Sequence, residues 1–173
     1  MTRPEIQGLL LDQYHAFIHR LQDMHEVQAH MAAPGKSSPA QQAEHLVKSV
    51  RPVTMAFGLP RFVLPLLFGK ANRPSRSYDE LVLKYKSKLA AGGVAPSPFV
   101  PGMATHVRVT CRRLDKTVRR LSRRMERFSE SQLDALILPH PLLGKLTLRE
   151  MLYFTAYHAQ HHHDAVRSTH PTE

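Results

Sequence analysis

One stretch of this chain constrains the fold more than any other. Val107, Cys111, Leu114, Val118, Leu121, Met125 and Phe128 recur at alternating steps of four and three, without a miss. A helix turns once in 3.6 residues, so this spacing lays all of them along one stripe, the seam of a bundle helix. Between Arg108 and Arg127 lie nine basic residues and two acids, Asp115 and Glu126, a local excess of nine minus two, or +7. The basic residues all fall on the opposite half of the wheel. Such a helix needs apolar partners of its own length.

The rest of the chain offers them. Ile6, Leu10, Tyr14, Phe17, Leu21 and Met24 mark one face of a long first helix that should end before Pro34-Gly35. Ser38-Pro39-Ala40-Gln41 reads as a second helix start, with Ser38 as cap, Pro39 at the first position and Gln41 closing a capping box. That helix should run to about Phe57, although Pro52 allows a kink or an earlier end near Val50. Thr147-Leu148-Arg149-Glu150 is another capping box and opens the last helix, which should reach about Arg167.

Between the second and third long helices, Gly58 to Gly102 carries Pro60, Pro65, Pro74, Pro96, Pro98 and Pro101, so no long helix occupies it whole. Ser77-Tyr78-Asp79-Glu80 opens a short helix ending at Gly92-Gly93, and Ala95 to Pro101 reads as an extended loop. Ser129 to Gln132 caps a short turn that Pro139-His140-Pro141 breaks. No repeat and no strand-like alternation stands out. The expected fold is all-α: a four-helix bundle with a long crossover connection between helices two and three, in a single domain over residues 1–173.

A chain of 173 residues buries enough core to need no disulfide, and its one cysteine, Cys111, rules out an internal one. The best apolar run, Phe62 to Phe68, is too short to cross a bilayer and contains Pro65. Asp12 and Gln13 come too early for a signal peptide, so a cytoplasmic address is expected. The net charge of +10 sits mostly on the third helix. That face is open to a nucleic-acid reading, but it lacks interleaved aromatics to stack on bases, and a solvated face is expected instead.

There are twelve histidines, and the question is which of them face the core. On the last helix Leu148, Met151, Thr155, His158, His162 and Val166 share one stripe. His158 and His162 are four apart, so their rings stack on one face and can chelate one ion. The alternative is a pair of core histidines bonded to other side chains. His161 and His163 flank the stripe by about a quarter turn, as second-shell or solvated groups. His15 and His19 have the same spacing, lie opposite the apolar face of helix one, and should meet water. His45 is the best third ligand, yet the most apolar stripe of its helix is Ala43, Leu46, Val47 and Val50, from which it points away. It belongs to a more polar stripe, Gln42, His45, Leu46, Ser49 and Val53, able to line a wet metal pocket, but on pattern alone it is no better placed than a surface histidine. His140 and His25 come next.

Three segments resemble the DinB-like superfamily of helical bundles, which includes the YfiT-type metal-dependent hydrolases and thiol-dependent transferases. His140-Pro141-Leu142-Leu143-Gly144-Lys145-Leu146-Thr147-Leu148-Arg149-Glu150-Met151 is similar to its "HP-x-x-G-x-LT-x-x-E" lead-in, and Tyr157-His158-Ala159-Gln160-His161-His162 to its H-x-x-H-H ending. Glu44-His45-Leu46 matches its helix-two segment; Lys88 to Gly93 with Ala95-Pro96 and Phe99-Val100-Pro101 is a weaker match. The chain departs from it in having no tryptophan and in carrying a third consecutive histidine, His163.

The resemblance implies a three-histidine site of His45, His158 and His162 for a divalent metal, zinc or nickel. It also implies a transferase that activates a low-molecular-weight thiol for attack on an electrophile. Alternatives are a hydrolase using metal-bound water, or a metal-binding structural or sensing protein without turnover. Tyr157, Gln160 and His161 are candidates for outer hydrogen bonds, and Cys111, on the core seam, for an inert packing residue. The expected partners are a small-molecule substrate, the thiol and a second copy of the chain, without nucleic acid or membrane.

Overall fold

A computed structural model describes residues 1–94, 96–102 and 106–170. Eight helices and one hairpin follow in order: α1 (Arg3–Gln22), α2 (Glu26–His30), α3 (Pro39–Ala56), α4 (Val63–Phe68), α5 (Tyr78–Ala90), a single 3-10 turn (Ser97–Phe99), α6 (Val107–Met125), α7 (Glu130–Ala135), β1 (Ile137–His140), β2 (Gly144–Thr147) and α8 (Leu148–Thr169). The four long helices, α1, α3, α6 and α8, form a four-helix bundle. The connection between α3 and α6, which carries α4 and α5, is the long crossover. Among the described residues no helix is long and apolar enough to cross a membrane.

The helix starts are those that the capping residues dictate. Ser38, Ser77, Ser129 and Thr147 each accept a backbone N–H three residues on, and Gln41, Glu80, Gln132 and Glu150 return the bond. Such a cap is worth about 1 kcal/mol. Glu150 does more, because it is fully buried and takes a two-pronged pair from Arg73 at 2.7 and 2.8 Å and the Arg76 backbone N–H at 2.8 Å. Burial would raise its carboxyl pKa, but the bonds from Arg73, Arg76 and Thr147 outweigh it and hold the group ionised. The crossover is thereby pinned to the first turn of α8.

Three expectations need correction, and a fourth, that the second helix runs to about Phe57, holds. The first helix does not run on toward Pro34. It stops at Gln22, where the Asp23 N–H turns back to the His19 carbonyl, and α2 follows after an extended His25. The break carries Glu26 to the start of α6, where it accepts the Val107 N–H at 3.2 Å. Pro52 ends nothing: α3 continues to Ala56 through it, at the cost of one N–H bond.

Residues Ile137 to Thr147, which carry no strand pattern, pair as an antiparallel hairpin with His140 opposite Gly144. Gly144 sits at φ 77°, a conformation that a side chain would strain. The Ala95 to Pro101 loop holds a 3-10 turn at Ser97–Phe99, and Ala95 itself lies outside the described residues.

The core runs the length of the bundle. The seam residues of α6 are all buried, and they meet Leu10, Tyr14 and Phe17 of α1 and Leu46 and Val50 of α3 in one continuous cluster. The sides of the bundle are unequal. α1 packs closely on α8 and α6, and α3 on α6, but α3 and α8 touch far less. The loose α3–α8 side is covered by α5, which packs on α8, and by the Ser97–Phe99 turn, which packs on α3.

Candidate metal centre

The polar stripe of α3 and the histidine stripe of α8 face each other across this loose side. His45 Nε2 lies 3.1 Å from His158 Nε2, and His162 Nε2 lies 3.1 Å from the same atom. The ligand atoms of all three residues lie within 4.8 Å of one another. His158 is 5% exposed, and its ring is stacked on Phe154 at 5.0 Å and 26°.

The far sides of two rings decide what these nitrogens are. His45 Nδ1 lies 2.7 Å from the Phe99 carbonyl. A carbonyl only accepts, so Nδ1 holds the proton and Nε2 is a bare lone pair. His162 Nδ1 lies 3.0 Å from Gln42 Oε1, and the Gln42 amide is oriented by its own N–H bond to the Ser37 carbonyl at 3.1 Å. His162 Nε2 is therefore bare as well. The single His158 Nε2 faces both lone pairs, and one proton there could satisfy only one of them.

Burial, aided by repulsion from the neighbouring imidazoles, holds His158 and His162 well below the usual histidine pKa. Burial also lowers His45, against the opposing bond to the Phe99 carbonyl. The rings are neutral at pH 7, as metal ligands must be. A tetrahedral zinc ion with nitrogens at 2.0–2.1 Å would separate them by about 3.3 Å. The donor set and spacing thus fit a divalent ion, with outer bonds of the kind that orient ligating histidines.

The family model of the DinB superfamily matches residues 9–166, nearly the whole chain. The chain belongs to the DinB superfamily. No curated protein matches it. Among solved structures it is similar to TT2238, described as a four-helix bundle protein, at 17% identity and a TM-score of 0.60, over 96% of this chain and 99% of that one. At that identity the likeness speaks for the fold alone.

The other histidines of this DinB-superfamily chain separate cleanly from the three. His161 is half-buried against Tyr85 and Tyr157, at 5.9 and 6.4 Å between ring centres. His163 lies 3.6 Å from Asp164. His19 and His25 are exposed, whereas His15 is less so than expected, with Nε2 3.3 Å from Asp115 of α6.

The outer hydrogen bonds come from elsewhere than expected. Gln160 lies 3.5 Å from the Tyr78 hydroxyl and Tyr157 packs beside Lys86, so neither holds a ligand. Gln42 could have been found from the polar stripe of α3. The Phe99 carbonyl could not, because a backbone group carries no side-chain signature. Cys111 is fully buried, and burial pushes its thiol up to about 11, so it is not a nucleophile at neutral pH.

Beside the three nitrogens opens a cavity of about 250 Å³, walled by His45 and His158 with Val53, Phe68, Leu138 and Phe154 among the apolar residues. Among its described lining residues none is Asp, Glu, Lys or Arg.

Proposed function

We propose that this chain is a metal-dependent transferase that activates a low-molecular-weight thiol for attack on an electrophile, with His45, His158 and His162 as ligands to zinc or nickel. The observation that carries this reading is the convergence of three neutral imidazoles on one point at the wall of an apolar cavity. A bound divalent ion would supply a Lewis acid that lowers a thiol's pKa toward neutrality.

The chain's own part is to hold that point. Phe99 and Gln42 fix the protons of His45 and His162 on Nδ1, and Phe154 fixes the ring plane of His158. The apolar wall excludes water, which favours capture of the electrophile by the thiol over its hydrolysis. The hydrolase reading is weaker, because the cavity beside the three nitrogens is walled mainly by apolar side chains, which favour a thiol and an apolar electrophile over water. A low-molecular-weight thiol is abundant where thiols are kept reduced, so the reading carries a cytoplasmic address with it.

The proposed assembly is a homodimer through the exposed apolar face of α4, where Phe62, Leu66 and Leu67 stand in solvent. A switch from dimer to monomer in Leu66→Glu by analytical ultracentrifugation would support it.

The test is an adduct assay. Zinc- or nickel-loaded protein is given a panel of small thiols with 1-chloro-2,4-dinitrobenzene. Wild type should form the thioether faster than the uncatalysed mixture, and His158→Ala should not. Hydrolysis of a nitrophenyl ester without thioether formation would transfer the site to the hydrolase reading. Metal binding with neither activity would leave a structural or sensing protein.

A further inference from the structure

The cavity wall carries one more imidazole outside the three ligands. His140 ends β1, and its Nδ1 accepts the backbone N–H groups of Leu142 at 3.2 Å and Leu143 at 3.0 Å. An N–H only donates, so Nδ1 is a bare lone pair. The ring's one remaining proton then sits on Nε2. Burial, with a smaller contribution from Lys84, pushes its pKa down to about 4, so the ring is neutral throughout the physiological range. The hairpin turn thus sets the tautomer of a cavity residue.

His140 Nε2 has no protein partner among the described residues. Nor is it one of the sealed, unpartnered polar atoms, which are Tyr14 Oη and Arg20 Nε. The ring is wedged edge-on against Phe154 with centres 4.2 Å apart, and Phe154 in turn stacks on His158. Phe154 therefore spaces a fixed N–H donor from the metal ligands. Other polar groups of the wall are less available: the Ser49 hydroxyl donates to the His45 carbonyl at 2.9 Å, and the two ligand imidazoles hold their own partners. Among the described lining residues Tyr85 is the rival side-chain donor.

We propose that this cavity binds a neutral, largely apolar molecule bearing a hydrogen-bond acceptor such as a carbonyl oxygen, and that His140 Nε2–H holds that oxygen. An apolar wall rewards burial of an uncharged body. An anion would be stripped of water with no cationic side chain among the described lining residues to meet it. A single neutral donor supplies orientation without charge. The inference deepens the transferase reading by naming the class of its electrophile, and it rests on that reading only for the word electrophile; the binding itself needs no metal.

The experiment uses three probes of similar shape: 2-acetylnaphthalene, 2-ethylnaphthalene and 2-naphthoate. Dissociation constants are measured by calorimetry on zinc-loaded protein and on the same protein treated with chelator. The ketone should bind about fivefold tighter than the hydrocarbon, the effect of one neutral hydrogen bond, and the carboxylate should bind weakest. The preference for ketone over hydrocarbon should hold in both preparations, and the carboxylate should bind weakest in the chelator-treated protein, where no metal ion can coordinate it. In His140→Phe the ketone and hydrocarbon should become equal, while in Tyr85→Phe the difference should remain.

His140→Phe also strips two turn amides of their acceptor, so an independent readout is needed. Long-range ¹H–¹⁵N spectra of the wild type should show Nδ1 bare and Nε2 protonated at pH 7, with Nε2–H shifting on addition of the ketone and not of the hydrocarbon. The proposal is overturned by the opposite tautomer, by equal wild-type affinity for ketone and hydrocarbon, by naphthoate binding tightest to chelator-treated protein, or by loss of the preference in Tyr85→Phe alone. Ketone preference in zinc- or nickel-loaded protein that forms no thioether would sink the transferase reading and leave this one standing. Thioether formation without ketone preference would do the reverse.

Discussion

Two pairs of histidines in this chain share one spacing and differ in everything else. His15 and His19 sit on α1, four residues apart, at the outer side where α1 meets α6. His19 is exposed, and His15 leans on Asp115, with Arg119 nearby. His158 and His162 sit on α8, four residues apart, facing α3 across the one loose side of the bundle. There a third ring arrives from α3, a carbonyl and an amide fix two protons, and burial keeps all three rings neutral. Spacing brings two imidazoles within reach of one ion. A third donor, fixed tautomers and burial are what the α8 pair has and the α1 pair lacks.

The sharpest way to break the comparison is to remove a ring from each pair. His158→Ala should weaken zinc binding more than about a hundredfold, because loss of even an outer partner of a ligand costs ten- to a hundredfold. His15→Ala/His19→Ala should leave zinc binding unchanged. Competition titration against a chelating dye reads both. With the metal at a hundred times its dissociation constant, the loss should also remove about 2.7 kcal/mol of stability, visible as a lower melting temperature only when metal is added. Metal loss in the α1 variant and retention in His158→Ala would overturn the assignment.

A core change separates the metal from the packing. Leu114 is fully buried on the α6 seam, away from the histidines. Leu114→Ala should cost about 2–5 kcal/mol in denaturant unfolding and leave the zinc affinity of the folded protein alone.

Acid should distinguish the two pairs again. In chelator-treated protein the interior rings of His158, His162, His45 and His140 have pKa values below those of the unfolded chain. In that window the unfolded state binds more protons, so stability rises with pH. It is fully present above about pH 6.5 and is lost as pH falls through 6.5 toward the folded values, about 4 for His140. Each ring contributes at most about 1.4 kcal/mol per pH unit inside the window. Melting temperature against pH should fall below 6.5 for wild type and less steeply for His158→Ala. It should be unaffected by His19→Ala.

Gln42→Leu offers a gentler version of the first test. It removes the acceptor that fixes the His162 tautomer and leaves every ligand in place. Zinc affinity should fall about ten- to a hundredfold.

The bundle was readable because each long helix shows one dominant face to the core. The α6 seam and the capping residues at Ser38, Ser77, Ser129 and Thr147 announce themselves in single residues of known chemistry. His158 and His162 were readable for the same reason, lying on the apolar stripe of α8. His45 was not, because α3 has two contact faces. Its strongest stripe faces the core it shares with α6, and its polar stripe faces the α3–α8 gap, so periodicity ranked the first above the second; the E-H-L resemblance raised His45 instead. The hairpin was hidden because Pro139 and Pro141 interrupt any alternation; a two-stranded ribbon tolerates Pro139 at its open edge, and Pro141 lies in the turn. The break after Gln22 was hidden because no glycine or proline marks it. It is accompanied by a long-range bond from the Val107 N–H to the Glu26 carboxylate, which local pattern cannot contain.

The smallest effect is expected on the basic face of α6, and it bears on whether that face is idle. Arg112, Arg119 and Arg123 are exposed, and of the three only Arg119 has an ionic partner, Asp115 at 2.9 Å. An exposed pair four residues apart on a helix is worth about 0.3–0.5 kcal/mol. Changing all three to glutamine should therefore move unfolding by less than about 1 kcal/mol and leave zinc affinity where it was. Arg124 is a different case and stays in place, because its guanidinium reaches the Thr54 carbonyl at the end of α3 and ties two helices together. The triple variant should also show no change in retention on immobilised duplex DNA at 150 mM salt. A wild type that binds DNA with a steep salt dependence, lost in the variant, would mean that the outer face of α6 has a partner of its own. The contrast between a working interior and an idle exterior would then fail on the exterior side, with the histidine site untouched.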